Sequence, residues 1–192
     1  MTRKQILNTL KRLNRSGVKI EKGLSEQEFE KLELQFDIKF PPDLRNFLSN
    51  GLPVGDGFPN WRMALINKKA KEYIEWRIDG PLYGLLFDVK VNQFWFEEWG
   101  EKPSSYQQQE EVVKRCFKSY PLLIPVYSHR YIPTDPVESD NPIFSIVQTD
   151  IIYYGKTLYD YFKQEFSPSG YFKVDLTFKH IRFWSDLVEL NR

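Results

Sequence analysis

Residues 23–61 read GLSEQEFEKLELQFDIKFPPDLRNFLSNGLPVGDGFPNW, and their reading decides the fold. Ser25 is followed three residues later by Glu28, the spacing of a capping box: the hydroxyl accepts from an early helical N–H, and the carboxylate accepts from the N–H of the cap itself. Leu24 before the cap and Phe29 at the fourth helical position have the spacing of a hydrophobic staple. Phe29, Leu32 and Phe36 then recur at helical spacing, with Glu26, Glu30, Lys31 and Glu33 facing water. Pro41-Pro42 cannot continue a helix but can begin one. Leu44, Phe47 and Leu48 supply the apolar face of a second, short helix, and Asn50-Gly51 predicts its end, with the glycine in the left-handed conformation.

This succession resembles the SUKH superfamily, specifically its Smi/Knr-type family. The resemblance rests on Leu24, Glu28, Phe29, Leu32, Phe36, Phe40, Pro41, Pro42, Asp43, Leu44, Phe47, Leu48, Asn50 and Gly51, about a fifth of the chain. Further on, GLLFD at residues 84–88 and FWFEEWG at residues 94–100 look like the central strands of bacterial members. The resemblance implies a SUKH-like α+β domain and a binding role without catalysis. Many bacterial members look like immunity proteins that block a cognate polymorphic toxin, often a nuclease; fungal relatives act as regulatory scaffolds in cell-wall assembly. The chain is longer than many single-domain members, with additional residues at the N-terminus and around residues 66–81.

Outward from this stretch, the pattern predicts one domain, residues 23–192, preceded by a basic helical extension, residues 1–22. Ile6, Leu7, Leu10 and Leu13 mark one face of that helix, which ends near Ser16-Gly17, and residues 18–20 read as a strand or an extended linker. The extension carries seven basic residues against the single acid Glu21, while the whole chain has a net charge of +1, so the body is mildly acidic. The extension lacks interleaved aromatics for stacking on bases, so nucleic acid is not the expected partner. The glycine-rich loop at residues 51–60 follows a helix and has no Lys-Ser/Thr, so it does not read as a phosphate loop.

Residues 66–76 predict a helix, Asp79-Gly80-Pro81 a turn, and residues 82–87 a buried strand that turns back through residues 88–92 into Phe94-Trp95-Phe96 as a hairpin. A helix capped by Ser104 or Ser105 runs to about Phe117. A strand pair follows over residues 122–127 and 130–133, with Ser128-His129 between them, and then a polar loop over residues 134–142. Residues 144–147 and 151–154 read as strands, Thr157 caps a helix bearing Leu158, Tyr161, Phe162 and Phe166, residues 167–170 form a loop, and residues 181–188 close the chain as a short helix. Helices in front, short strands in the middle and helices at the end predict an α+β fold with a central, mostly antiparallel sheet.

Catalytic signatures are absent from the pattern. His129 and His180 lie 51 residues apart, and there is no HExxH or CxxC, so neither a metal nor a cofactor is expected. Cys116, the single cysteine, sits in an apolar helical pattern and reads as an inert thiol. No apolar run reaches the roughly 18 residues of a membrane span, and the basic N-terminus lacks the apolar core of a secretory signal, which predicts a cytoplasmic protein. Two acidic groups stand out as partner-binding candidates. Glu97, Glu98 and Glu101 alternate with Trp95 and Trp99, and Asp135, Glu138 and Asp140 lie in the proline-rich loop. Acids around aromatic anchors suit a basic protein partner, the aromatics supplying affinity and the charges steering. With the resemblance, the expected partner is a basic toxin domain.

Overall fold

The computed structural model describes residues 1–167 and 177–191. The fold is α+β, and its elements follow in chain order as α1 (Arg3–Arg15), β1 (Lys19–Glu21), α2 (Glu26–Phe36), α3 (Pro42–Asn50), β2 (Leu52–Val54), α4 (Trp61–Ala64), α5 (Lys68–Val91), a single 3-10 turn (Glu97–Trp99), α6 (Tyr106–Phe117), β3 (Leu123–Tyr127), β4 (Arg130–Pro133), β5 (Ile143–Val147), β6 (Asp150–Gly155), α7 (Leu158–Glu165) and α8 (Trp184–Leu190). The loop expected over residues 167–170 falls, from 168 on, outside the described residues.

Helix α2 starts as its sequence requires. Ser25 Oγ accepts from the Glu28 N–H, and Glu28 Oε2 accepts from the Ser25 N–H at 2.8 Å. Leu24 and Phe29, the staple pair, are both buried in one core. Helix α3 begins at Pro42 and ends at Gly51, whose φ of −178° is extended rather than left-handed. Glycine is needed there for a different reason: a Cβ would lie 2.8 Å from Leu10 Cδ2 and 3.0 Å from Ile20 Cγ2. The close approach lets β1 pair antiparallel with β2, setting Ile20 opposite Pro53. Residues 19–21 are therefore a strand rather than a linker.

Strands β3, β4, β5 and β6 form an antiparallel meander in that order. Alternate side chains of a strand point to opposite faces, and here the two faces feed two cores. Ile124, Val126, Ile132 and Ile143 join Phe29, Phe47, Trp61 and Phe162 in the first core, which also takes Ile6 and Leu13 of α1. Leu123, Tyr131, Phe144, Ile146 and Ile151 join Val113, Phe183, Trp184 and Leu187 in the second.

The largest departure from the sequence pattern is α5. The predicted turn at 79–81 and strand at 82–87 are instead the middle of one 24-residue helix, with Pro81 inside it. Its buried positions, Ile74, Ile78, Pro81, Leu85 and Val89, keep a helical repeat. A proline removes the N–H that would bond the carbonyl four residues earlier, here that of Arg77. The Tyr131 hydroxyl replaces it, donating to the Arg77 carbonyl at 3.1 Å. Two buried charges pin the helix to the hairpin turns. Arg77 donates to the carbonyls of Gly57 (2.9 Å) and Ser128. The Asp88 carboxylate accepts from the Thr149 N–H at 2.8 Å, the Thr149 hydroxyl at 2.6 Å and Asn92 Nδ2 at 2.6 Å. Residues 94–96, predicted as the returning strand, lead instead into the 3-10 turn. Once α5 absorbs residues 82–87, the described residues leave no strand in that place for them to pair with.

Candidate protein-interaction surface

The first acidic group sits on a rigid aromatic base. Phe94, Trp95 and Phe96 meet the Trp99 ring edge-on, with centroids 5.7, 5.2 and 5.9 Å away. Trp99 is 6% exposed and its Nε1 donates to the Tyr120 hydroxyl at 3.0 Å. Burial pushes the Tyr120 phenol above its ordinary pKa, partly offset by that hydrogen bond. Trp95 is half-buried, and its Nε1 donates to the Gly100 carbonyl at 2.8 Å. Trp99 is thus a core residue that stiffens the segment, and Glu97, Glu98 and Glu101 are exposed on top of it.

The second group lies in a loop fixed from three sides. The Asp140 N–H donates to Asp43 Oδ2 at 2.7 Å, and the other oxygen of this buried carboxylate pairs with the amine of Met1. Asn141 Nδ2 donates to the carbonyls of Pro133 (3.3 Å) and Pro136 (2.8 Å). Lys179 Nζ donates to Glu138 Oε2 at 3.0 Å, to the Ser139 carbonyl at 2.9 Å and to Asn141 Oδ1 at 3.1 Å. Glu138 is accordingly ion-paired. The two acidic groups are held by different partners: the 94–101 segment by Tyr120 and Phe183, the loop by α3 and Lys179.

Asp135 faces a third feature, which single-residue reasoning missed. Residues Thr134, Asp135 and Val137 line a groove of about 600 Å3 together with Glu30, Glu33 and Leu34 of α2 and with Asp37 and Lys39 just beyond its end. Leu34 is 86% exposed and Val137 73% exposed. Glu33 is already engaged, by Lys39 and Arg45 at 3.0 Å each and by the Phe40 N–H at 3.1 Å. Glu30, Asp37 and Asp135 leave the lining net negative, since Lys39, which also lines it, pairs with Glu33. The readable signal was Leu34, which stands off the buried Phe29–Leu32 face in the string KLELQ, residues 31–35.

The N-terminal helix also acquires neighbours that its sequence alone withheld. Lys11, Arg12 and Arg15 share a groove of about 460 Å3 with Tyr159 and Phe166 from the α7 end of the chain. His129 Nδ1 lies 3.1 Å from the Ser128 hydroxyl, and its pKa is pushed down by burial first and by Arg130 and Arg77 second. His180 Nε2 contacts Asp186 at 2.7 Å. Among the described residues there is no group of three His, Cys, Asp or Glu able to hold a metal ion. Cys116 is half-buried against the second core. No helix among the described residues is long and apolar enough to cross a membrane. No protein-family model, curated protein or solved structure matches the chain.

Proposed function

We propose that the chain is a non-enzymatic binding protein of the immunity type, which neutralises a basic, nuclease-type toxin domain by covering its catalytic cleft. The observation that carries this reading is the groove between α2 and the 134–137 loop, where exposed Leu34 and Val137 sit inside a rim of Glu30, Asp37 and Asp135. A nuclease cleft is lined with cations because it must attract phosphates. Apolar anchors ringed by carboxylates complement such a surface: the charges raise the association rate and the anchors slow dissociation. The resemblance of residues 23–51 to the SUKH superfamily supports the same role.

The test is co-expression with a basic, nuclease-type toxin domain, sought first among the neighbouring genes; the lack of any such neighbour counts against the reading. Growth rescue, copurification and inhibition of the purified nuclease are the expected results. Asp37→Lys with Asp135→Lys is expected to slow association by about tenfold or more at low salt, with a smaller effect at high salt. If the toxin domain neither copurifies with the chain nor is restrained by it, the reading fails.

A further inference from the structure

Helix α5 exposes an unusual row of side chains. Tyr73, Trp76, Gly80, Tyr83, Phe87 and Lys90 follow one another at intervals of three, four, three, four and three. That alternation has the spacing of a coiled-coil seam over about two and a half heptads. Trp76 is 60% exposed, and Tyr73, Tyr83 and Phe87 are each about half exposed, with Val91 beside them. Aromatic side chains on a solvated helix face are the residue types enriched at interfaces. Within the chain Tyr73 stacks on Trp76 with centroids 6.0 Å apart and the Tyr83 hydroxyl donates to Asp79 Oδ2 at 3.3 Å, while the buried positions of α5 are on its other side.

We propose that this seam pairs with the same seam of a second copy, antiparallel, about a two-fold axis crossing the helix between Pro81 and Leu82. The register follows from the row itself. An antiparallel pair alternates the two seam positions across the axis, which sets Trp76 against Phe87, Tyr73 against Lys90 and Gly80 against Tyr83. Each layer is complementary in volume or charge. Two large rings meet, an ammonium meets a ring face, and a phenol lies over the bare backbone of Gly80, whose own Cβ direction faces the Tyr131 hydroxyl at 3.3 Å. Lys90 already lies 5.2 Å from the Tyr106 ring centroid of its own chain, so the second ring completes an aromatic setting for the cation. The parallel alternative sets Lys90 against Lys90 and Gly80 against Gly80, a like-charge contact and a gap. Antiparallel helices also bring opposite dipole ends together.

The area bounds the strength. Each half-exposed aromatic offers on the order of 100 Å2, so the row and its flanks bury on the order of 1,000 Å2 over both copies. That is the low end of specific interfaces, and the association is a reversible one with a dissociation constant on the order of micromolar. The inference does not depend on the toxin-binding reading, since it uses neither the α2 groove nor the acidic loop.

Sedimentation velocity on the full chain, from about 1 to about 100 μM, tests it. The expected result is a concentration-dependent shift from 23.0 kDa toward twice that mass. Trp76→Glu is expected to raise the dissociation constant at least about 100-fold while leaving the far-UV circular dichroism unchanged, since Trp76 packs into neither core. Orientation is read by cross-linking a mixture of Glu72→Cys and Gln93→Cys copies, both carrying Cys116→Ser. These positions flank the seam at opposite ends, so the antiparallel register gives mixed 72–93 links. A chain that stays monomeric throughout, a dimer that survives Trp76→Glu, or a predominance of 72–72 and 93–93 links overturns the proposal.

Discussion

Glu28 shows how one side chain can serve two elements. Its carboxylate caps α2 and also receives Arg62 Nε at 2.6 Å, while Arg62 spans to the carbonyls of Lys22 (2.9 Å) and Gly23 (3.0 Å). The Arg62 hydrogen bond is the main reason that the Glu28 pKa falls from 4.5 to about 2, and the Ser25 bonds add to it. A carboxyl whose folded pKa is depressed stabilises the fold above its unfolded pKa and loses that contribution as pH falls through the folded value. Glu28→Gln should therefore cost about 1 kcal/mol near neutral pH, after solvent screening of a partly exposed pair. The difference from the parent should shrink between pH 4.5 and about 2, as read from urea midpoints. Tyr161 makes the opposite case. Its hydroxyl is buried without a hydrogen-bond partner among the described residues, and burial pushes its pKa far up. Leaving such a group unpaired costs about 1–3 kcal/mol, so Tyr161→Phe should be neutral or stabilising in thermal melts. A loss above about 1 kcal/mol would show that the hydroxyl is satisfied in solution.

At the scale of the element, α5 explains both what the sequence discloses and what it withholds. The capping box of Ser25, the proline start of α3, the Ser105 and Thr157 caps and the β3–β4 hairpin are local patterns, and each is found where its residues predict it. Asp79-Gly80-Pro81 is local too, yet it predicts a turn that does not exist, because the compensation comes from Tyr131, fifty residues away. No window around Pro81 contains that hydroxyl. The candidate surface was legible to the same extent: the acids were visible as types, but the groove needs α2 and the 134–137 loop side by side. The proline account is open to a double-mutant cycle. Tyr131→Phe should cost about 1–2 kcal/mol by leaving the Arg77 carbonyl unpaired. In a Pro81→Ala background a backbone N–H is available to that carbonyl, so the cost should fall by about half. Equal costs in both backgrounds would refute the substitution of one donor by the other. Gly84 tests the packing of the same helix. A Cβ there would lie 2.7 Å from Gln148 Cα, and Gly84→Ala should cost about 1–3 kcal/mol in chemical denaturation because the β5–β6 turn must move.

For the whole molecule, the sheet separates two cores and α5 crosses from one to the other: Ile74 and Ile78 belong to the first, Leu85 and Val89 to the second. Asp43 ties α3, in the first core, to the loop that follows β4. Asp43→Asn should loosen that loop, with amide exchange at Asp140 accelerated about tenfold or more while amides of β5 stay protected. The partition of the cores also distributes the chromophores. Trp61 reports on the first core, Trp184 and Trp99 on the second, and Trp76 on the exposed face of α5. The protein therefore carries its own set of optical probes. Variants that keep only Trp61 or only Trp184 allow each half of the interior to be followed by its fluorescence during denaturation. A continuous helix through both halves makes them lose that signal at the same denaturant concentration, whereas Trp76, 60% exposed in the single chain, reports on neither core.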